Sequence, residues 1–197
     1  MEAANTLLIK RINTDLVRKQ LLSLRAATKQ QLAKLTGLSL MTVSSIIAEM
    51  IGSGEVVEGD FIPSNGGRPS AEFCYNGGFG HAVVFLGYQK HNRNFIRMRV
   101  VNMFGDCVYT EEKYFDTIFC DSFDAMLNHA FASVTKIAVI GFGLPGEEEN
   151  GMITINDYSQ LIGNEFVNRC YTKYNVPVIL VNDVNASAFG YYRKIYG

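Results

Sequence analysis

The chain has 197 residues, of which 48% are hydrophobic and 19% charged, with a formal net charge of −1. This length fits one large or two small domains, and the apolar content excludes general disorder. The nearly balanced charge excludes a polybasic coat for nucleic acid, and no run approaches the roughly 18–20 uncharged apolar residues of a membrane helix. The first residues also lack the apolar core and cleavage site of a secretory signal, so we expect no membrane association.

The cysteines are few and far apart in the sequence, without CxxC or CxC pairs: Cys74, Cys107, Cys120 and Cys170. Three scattered histidines add no metal-ligand spacing. This pattern is typical of reduced thiols and not of a disulfide framework or a zinc site. We therefore expect a cytoplasmic protein with no metal and no cofactor, whose cysteines are packed as small hydrophobic residues.

The chain changes character near residue 78. Residues 1–60 have helical periodicity, whereas strand patterns follow the glycines at Gly77 and Gly78. Glycine-rich segments of this kind commonly separate domains. We predict an N-terminal domain over residues 1–78 and a second domain over residues 79–197.

Three helices are predicted in the first domain. Asn13 or Thr14 is expected to cap the first of them. Thr28 is expected to cap the second, with Gln31 as its capping-box partner. Gly37 supplies the left-handed conformation that a tight helix exit requires.

The third helix is predicted to begin after Ser39 and to be joined to the second by residues 36–39. Two short helices joined in this way form a helix-turn-helix, whose second helix can enter a major groove. Leu40 and Met41 are placed to touch thymine methyl groups, and four hydroxyls are placed to face bases. These hydroxyls belong to Ser39, Thr42, Ser44 and Ser45. A helical hairpin that contacts another protein is the open alternative.

The residues around these helices suit a nucleic-acid backbone. Between residues 25 and 48 there are three cations and no acid, which favours contact with phosphates. Residues 55–58 and 73–75 are predicted to form a hairpin, with a glycine pair and Arg68 in the loop between them. Such a loop is typical of a wing that enters the minor groove, and a plain surface turn is the alternative. We expect Arg68 to enter the minor groove, and three residues to hold phosphates: Thr28, Lys29 and Gln30.

The run TKQQLAKLTGLSLMTVSSIIAEMIGSGEVVEG, followed by GGRPS, resembles the N-terminal region of ROK-family transcriptional regulators, which are repressors of sugar metabolism. The resemblance covers residues 13–75 and implies a winged helix-turn-helix. Family members often carry a cation directly after the capping serine and another near the middle of the recognition helix. This chain has Leu40 and Ser45 there, which implies fewer phosphate contacts and a shallower salt dependence.

The second domain alternates helices with strands after an initial strand meander. The predicted strands are 82–88, 95–103, 107–114, 137–143 and 178–181, and the predicted helices are 121–133, 163–174 and 185–195. This order predicts an α/β domain with a mixed sheet.

Two motifs of this domain, GFGLPG at residues 141–146 and NDVNASA at residues 182–188, resemble the ROK version of the actin, hexokinase and Hsp70 superfamily. The resemblance implies an RNase H-like N-terminal lobe with a sugar site at the carboxyl ends of its strands. The implied sugar-binding residues are Gly143, Pro145, Gly146, Asn156, Asn182 and Asp183. Asp183 matches the general base of family kinases. For the asparagines and Asp183, a capping or turn-forming role is the alternative.

Family kinases also carry a phosphate loop, Asp-x-Gly-Gly-Thr, and the matching residues 86–92 here lack its acid and its glycine pair. Phosphoryl transfer depends on that cradle, so we expect no kinase activity, and Asp183 would bind a ligand without catalysis. Family regulators run to nearly twice this length, and the C-terminal lobe is expected to be lacking here. Half of a cleft would bind sugar weakly.

Taken together, the sequence predicts a DNA-binding transcriptional regulator of the ROK type that represses carbohydrate metabolism genes. We expect a homodimer on a pseudo-palindromic operator, with a sugar or sugar phosphate as effector. A ROK sugar kinase with an appended DNA-binding domain is one alternative. A degenerate protein-interaction module is the other.

Overall fold

The computed structural model describes residues 2–62, 70–150, 152–156, 158–162 and 166–196. The chain folds into two compact units, unit 1 (Met1–Phe79) and unit 2 (Gly80–Gly197). The described elements of unit 1 are α1 (Glu2–Leu24), β1 (Ala26–Thr28), α2 (Lys29–Thr36), α3 (Leu40–Gly52), β2 (Val56–Ile62) and β3 (Ser70–Tyr75).

The strands of unit 1 form a three-stranded antiparallel sheet in the order β1-β3-β2. The central strand β3 pairs on both sides, with Phe73 opposite Ala27 of β1 and Glu58 of β2. The helices contribute most of the fully buried apolar side chains, among them Val17, Leu21, Leu32, Val43, Ile47 and Met50. The predicted hairpin is confirmed, whereas β1 was not predicted.

The second and third helices begin and end as the sequence predicts. The Thr28 hydroxyl accepts from the Gln31 amide at 3.2 Å, and the Thr28 amide donates to Gln31 Oε1 at 2.8 Å. Gly37 follows α2 with a φ of 72°, and its amide donates to the Ala33 carbonyl. The Ser39 hydroxyl accepts from the Thr42 amide at 3.1 Å and caps α3.

The predicted start of the first helix is wrong, because α1 already begins at Glu2. Asn13 and Thr14 lie in the helix interior, where the Thr14 hydroxyl donates to the carbonyl of Lys10 at 2.9 Å. A threonine hydroxyl within a helix can donate to a carbonyl of the preceding turn in this way, so a threonine need not mark the start of a helix.

A polar cluster joins α1 to the sheet of unit 1. The Arg18 guanidinium donates to both carboxylate oxygens of the buried Glu55, and the Tyr75 hydroxyl donates to Glu55 Oε1 at 3.1 Å. The Asn76 amide donates to the Glu55 carbonyl at 2.9 Å. A buried carboxylate is costly unless it is paired, and here its partners come from α1 and from β3.

Unit 2 is built around a five-stranded mixed sheet. Its described elements are β4 (His81–Lys90), β5 (Arg93–Asn102), β6 (Cys107–Phe115), α4 (Asp124–Ser133), β7 (Ile137–Leu144), β8 (Gly146–Glu149), β9 (Met152–Asn156), α5 (Phe166–Tyr174), β10 (Val178–Asn182) and α6 (Asp183–Tyr196). The strand order is β10-β7-β4-β5-β6, in which β10, β7 and β4 are parallel and β5 and β6 are antiparallel.

One face of this sheet is covered by α4 and α5. An aromatic cluster fills the layer, with Phe85 and Phe142 stacked at 5.0 Å between ring centroids and Phe123 edge-on to both. Phe166 of α5 completes the cluster at 4.6 Å from Phe142. The opposite face of the sheet meets Ala186 of α6, so helices lie on both faces.

The predicted α/β class and mixed sheet are confirmed. The hairpin of β8 and β9 was not predicted. The last helix starts at Asp183, two residues earlier than predicted, because the Asn182 side chain caps it. The predicted helix over 163–174 is described from Phe166 onwards.

Within the described residues, no single helix combines the length and the apolar composition of a membrane crossing. Helices α2 and α3 have the required length and apolar composition only when they are counted together, across a bend of 117° between them. The described residues also contain no group of three or more His, Cys, Asp or Glu side chains placed to hold a metal ion.

Candidate functional site

The first candidate site is formed by α2, α3 and the three residues between them. The two helix axes meet at 117°, which lies within the range of helix-turn-helix pairs. The left-handed Gly37 allows the sharp exit from α2, and Ser39 caps α3 two residues later. Leu32 of α2 and Val43 of α3 are both fully buried in unit 1.

The two faces of α3 differ sharply in exposure. Its inner face is buried in unit 1 and consists of Val43, Ile46, Ile47 and Met50. Its outer face carries Met41, Ser45 and Ala48, at spacings of four and three residues, and all three are exposed. Met41 is the most exposed of the large apolar side chains described, at 83%.

The four predicted base-facing hydroxyls do not occupy equivalent positions. The Ser39 and Thr42 hydroxyls lie 2.8 Å apart and bond to each other, and Ser39 also accepts the Thr42 amide. Ser44 is half-buried at the edge of a pocket, whereas Ser45 lies on the outer face. Of the four hydroxyls, that of Ser39 therefore caps α3, and that of Thr42 is hydrogen bonded to it.

The pocket beside α3 has a volume of about 220 Å³ and brings together residues from four elements, β1, α2, α3 and β3. Its lining residues are Thr28, Lys29, Gln30, Leu40, Ser44, Ser70, Ala71 and Phe73. The Lys29 ammonium lies 4.8 Å from the centroid of the Phe73 ring, a cation–π contact that holds the charge at the pocket wall. The three residues predicted to hold phosphates thus lie next to the predicted reading helix.

Thr28 differs from its two neighbours because it is buried. It is 8% exposed, and its oxygen accepts the Gln31 amide in the capping box. Lys29 is half-buried and Gln30 is exposed, so their side chains are the accessible members of the predicted trio.

The charge around α3 is positive on the side of α2. Lys29 and Lys34 lie at the two ends of α2, and the acid in α3, Glu49, forms an ion pair with Lys10 of α1 at 2.8 Å. Arg68, predicted to enter a minor groove, lies outside the described residues.

The second candidate site is at the carboxyl ends of the parallel strands β7 and β10. A pocket of about 330 Å³ opens there, lined by Leu144, Gly146, Glu147, Ile153, Leu180, Val181, Asn182 and Asn185. Two of the six predicted sugar-binding residues, Gly146 and Asn182, line it. Asp183 begins α6, and Pro145 lies between β7 and β8, outside this lining.

The remaining two predicted residues have other positions. Gly143 lines a separate pocket on the α6 face of the sheet, where its Cα hydrogen points towards Leu86 and Ala186. The backbone of Asn156 ends β9 and pairs with Gly146 in the β8–β9 hairpin. The sequence motifs are therefore brought to one end of the sheet without all of them sharing one cavity.

Asn182 makes three side-chain hydrogen bonds within unit 2. Its Oδ1 accepts from the Val184 and Asn185 amides at 3.0 and 3.2 Å, and its Nδ2 donates to the Gly146 carbonyl at 3.2 Å. The side chain therefore caps α6 and fixes the start of β8. Glu147 and Asn185, which sequence reasoning did not single out, supply polar groups to the pocket, although Asn185 belongs to the quoted motif.

The stretch that matches the kinase phosphate loop forms a tight turn. Strands β4 and β5 stay paired up to Lys90 and Arg93, so His91 and Asn92 alone make the connection, with φ values of 51° and 59°. This conformation is typical of a two-residue type I′ hairpin. Gly87 lies against Leu144 and Tyr158, where an added Cβ would come within 2.9 Å of both.

No family model matches the sequence. The chain is 28% identical over 199 residues to a xylose repressor of Caldicellulosiruptor bescii, covering 94% of this chain and 48% of that protein. It is 25% identical over 207 residues to a xylose repressor of Bacillus subtilis (strain 168), covering 100% of this chain and 52% of that protein.

A solved ROK family transcriptional regulator, a homolog of the E. coli MLC protein, superposes with a TM-score of 0.66 at 17% identity, covering 93% of this chain and 48% of that one. The fold is therefore that of the matching part of a ROK-family regulator. The predicted resemblance to this family is confirmed, and the two curated relatives are named xylose repressors. The chain spans about half the length of the curated relatives it matches.

Proposed function

We propose that this chain is the DNA-binding part of a transcriptional repressor, with a winged helix-turn-helix over residues 1–78. The observation that carries this proposal is the pair α2 and α3, joined at 117° through a left-handed glycine and a serine cap. A helix held in this way can lie in a major groove while the preceding helix meets the backbone. The names of the xylose repressor relatives support the same function.

The outer face of α3 approaches the base edges in this proposal. Ser45 and Met41 lie on that face, and Lys29 and Gln30 stand beside it towards the phosphates. Arg68 enters the minor groove from the wing. Dimerisation places two such helices on the half-sites of a pseudo-palindrome, since two-fold proteins match two-fold operators.

Residues 79–197 form the N-terminal lobe of a ROK sugar-kinase-like domain in this proposal. The regulated genes serve carbohydrate metabolism, as the relatives' names suggest, and the protein acts in the cytoplasm. A sugar or sugar-phosphate effector would lie in the pocket of Glu147, Asn182 and Asn185, whose carboxylate and amide groups suit sugar hydroxyls.

The chain acts without catalysis in this proposal. A tight two-residue turn stands where kinases carry their phosphate loop, and Gln89 and Asn94 on either side are hydrogen bonded to each other at 3.0 Å. Such a turn offers neither an acid for Mg²⁺ nor a glycine cradle for phosphates. Asp183 then serves to bind a ligand or to begin α6.

Fluorescence anisotropy tests the proposal, with DNA from upstream of the protein's own gene against scrambled DNA at two salt concentrations. We expect preferential and salt-sensitive binding, because sequence is read by base contacts and phosphates supply the salt dependence. Ser45→Glu, which puts a negative charge on the outer face of α3, should abolish the preference. Ser187→Glu in unit 2 is the matched control. Equal binding of both DNAs by the unaltered chain at low salt would reject a DNA reader and favour a protein-interaction module.

A further inference from the structure

Two large apolar side chains in the first turn of α3 are exposed: Leu40, at 50%, lines the pocket beside the helix, and Met41 lies on the outer face, where a DNA-reading helix would meet base edges. Met41 lies in the first turn of the helix and is 83% exposed, with Ser45 and Ala48 following it on the same face. A methionine side chain that is exposed to this extent contributes little to the packing of unit 1. Its side chain is therefore available to contact a partner.

The polar alternatives in the first turn are already engaged. The Ser39 oxygen accepts the Thr42 amide at 3.1 Å, and the two hydroxyls share a hydrogen bond at 2.8 Å. Drawing the Ser39 oxygen towards a base would remove the cap of α3, and turning the Thr42 hydroxyl would break its hydrogen bond with Ser39. The first turn is therefore better suited to an apolar contact than to a hydrogen bond.

We propose that Met41 reads the 5-methyl group of thymine in the major groove, so that the preferred DNA carries thymine opposite the first turn of α3. This inference rests on the proposed DNA-binding function. Thymine alone among the four bases presents a methyl group in that groove, whereas the polar edges of the others would be left unpaired by a thioether. The unbranched methionine chain adapts to the exact position of the methyl.

DNA is the occupant that the surrounding charge favours. Residues 25–48 contain Arg25, Lys29 and Lys34 and no acid, and Lys29 is held beside the same helix by the Phe73 ring. A protein partner with an apolar surface would gain nothing from this local positive charge. A duplex would be bound through it, because its phosphates flank the groove that exposes the methyl groups.

Replacement of thymine by deoxyuridine tests the inference, because it removes only the methyl group. A preferred site is first selected from a random duplex library with the full chain, and each thymine of that site is then replaced in turn. We expect the dissociation constant to rise about fourfold at each thymine that Met41 contacts, as burial of one methyl group predicts. The Met41→Ala and Met41→Gln variants should bind the thymine and deoxyuridine duplexes equally. Leu16→Ala, an exposed apolar residue of α1, is the control and should keep the discrimination.

The outcomes separate the inference from the function on which it rests. Failure to select any site would overturn the proposed function together with the inference. A selected site that binds equally with thymine or deoxyuridine would overturn the inference and leave the function standing. Discrimination that persists in both Met41 variants would also overturn it, because the methyl group would then act through the shape of the DNA. Thermal unfolding of both variants checks that substitution at this exposed position leaves the fold unchanged.

Discussion

Gly37 and Gly52 lie at the ends of helices α2 and α3. A comparison of alanine substitutions at these two positions measures the energetic cost of a left-handed backbone. Neither has an atom within 4 Å of an added Cβ, but Gly37 has a φ of 72° whereas Gly52 does not have a positive φ. We expect Gly37→Ala to lower the free energy of unfolding by about 1–2 kcal/mol, because an L side chain is strained there. Gly52→Ala, the matched control, should be neutral or stabilising by up to about 1 kcal/mol. Urea denaturation measures both, and equal effects would contradict the assignment of the strain to φ.

Tyr75 makes the stability of unit 1 sensitive to alkaline pH. Burial, together with the neighbouring Glu55 carboxylate, raises the pKa of Tyr75 from 10.0 to about 12. A raised pKa means that the folded state favours the neutral phenol. The contribution of this preference to the free energy of unfolding is complete below pH 10 and is lost as the pH rises through 12. We expect Tyr75→Phe to flatten the fall in the free energy of unfolding between about pH 10 and 12. Denaturation at a series of pH values measures it, and parallel curves for the two proteins would refute it.

At the scale of elements, the turn between β4 and β5 joins two long strands through residues of unfavourable conformation. His91 and Asn92 both have positive φ values, and glycine is preferred at the second position of such a turn. We expect Asn92→Gly to stabilise the chain by about 0.5–1 kcal/mol and Asn92→Ala to destabilise it by a similar amount. Thermal unfolding compares the three proteins. A loss of stability in Asn92→Gly would show that the asparagine side chain matters more than its backbone.

Local chemistry explains which elements could be predicted from the sequence. The capping residues Thr28 and Ser39 and the glycine exit at Gly37 act on their own helix within four residues, so their pattern is visible in the sequence. Strand β1 is three residues long and exists through its pairing with β3, nearly fifty positions away in the chain. No short window of sequence contains that interaction.

The candidate sites divide in the same way. A serine at a helix start and an asparagine at a strand end predict polar side chains near a ligand, and the prediction named Ser39 and Asn182. The Ser39 side chain caps α3, and the Asn182 side chain caps α6 while it also lines the pocket, so their ligand contacts stay predictions. The outcome depends on hydrogen bonds between neighbours, and residue type alone does not distinguish a cap from a ligand. Gly146 was predicted from its motif and lines the same pocket as Asn182.

At the scale of the whole molecule, the net charge of −1 means that attraction to DNA must come from where the charges lie. Lys29 and Lys34 belong to α2 beside the proposed reading helix, whereas Lys136 belongs to unit 2. Each phosphate contact releases counterions and contributes about 0.9 to the slope of log K against log salt. We therefore expect Lys29→Gln and Lys34→Gln each to reduce the magnitude of that slope by about 0.9, with weaker binding to every sequence.

Lys136→Gln is the matched control for this prediction, because it changes the net charge by the same amount. If long-range attraction by the whole chain governed binding, the three variants would lower the affinity alike at low salt. If the contacts are local, Lys136→Gln should leave the slope unchanged, and the double variant Lys29→Gln and Lys34→Gln should lose about 1.8. Anisotropy titrations over a range of salt concentrations distinguish the two cases. An unchanged slope in the double variant would place the DNA-binding surface away from α2.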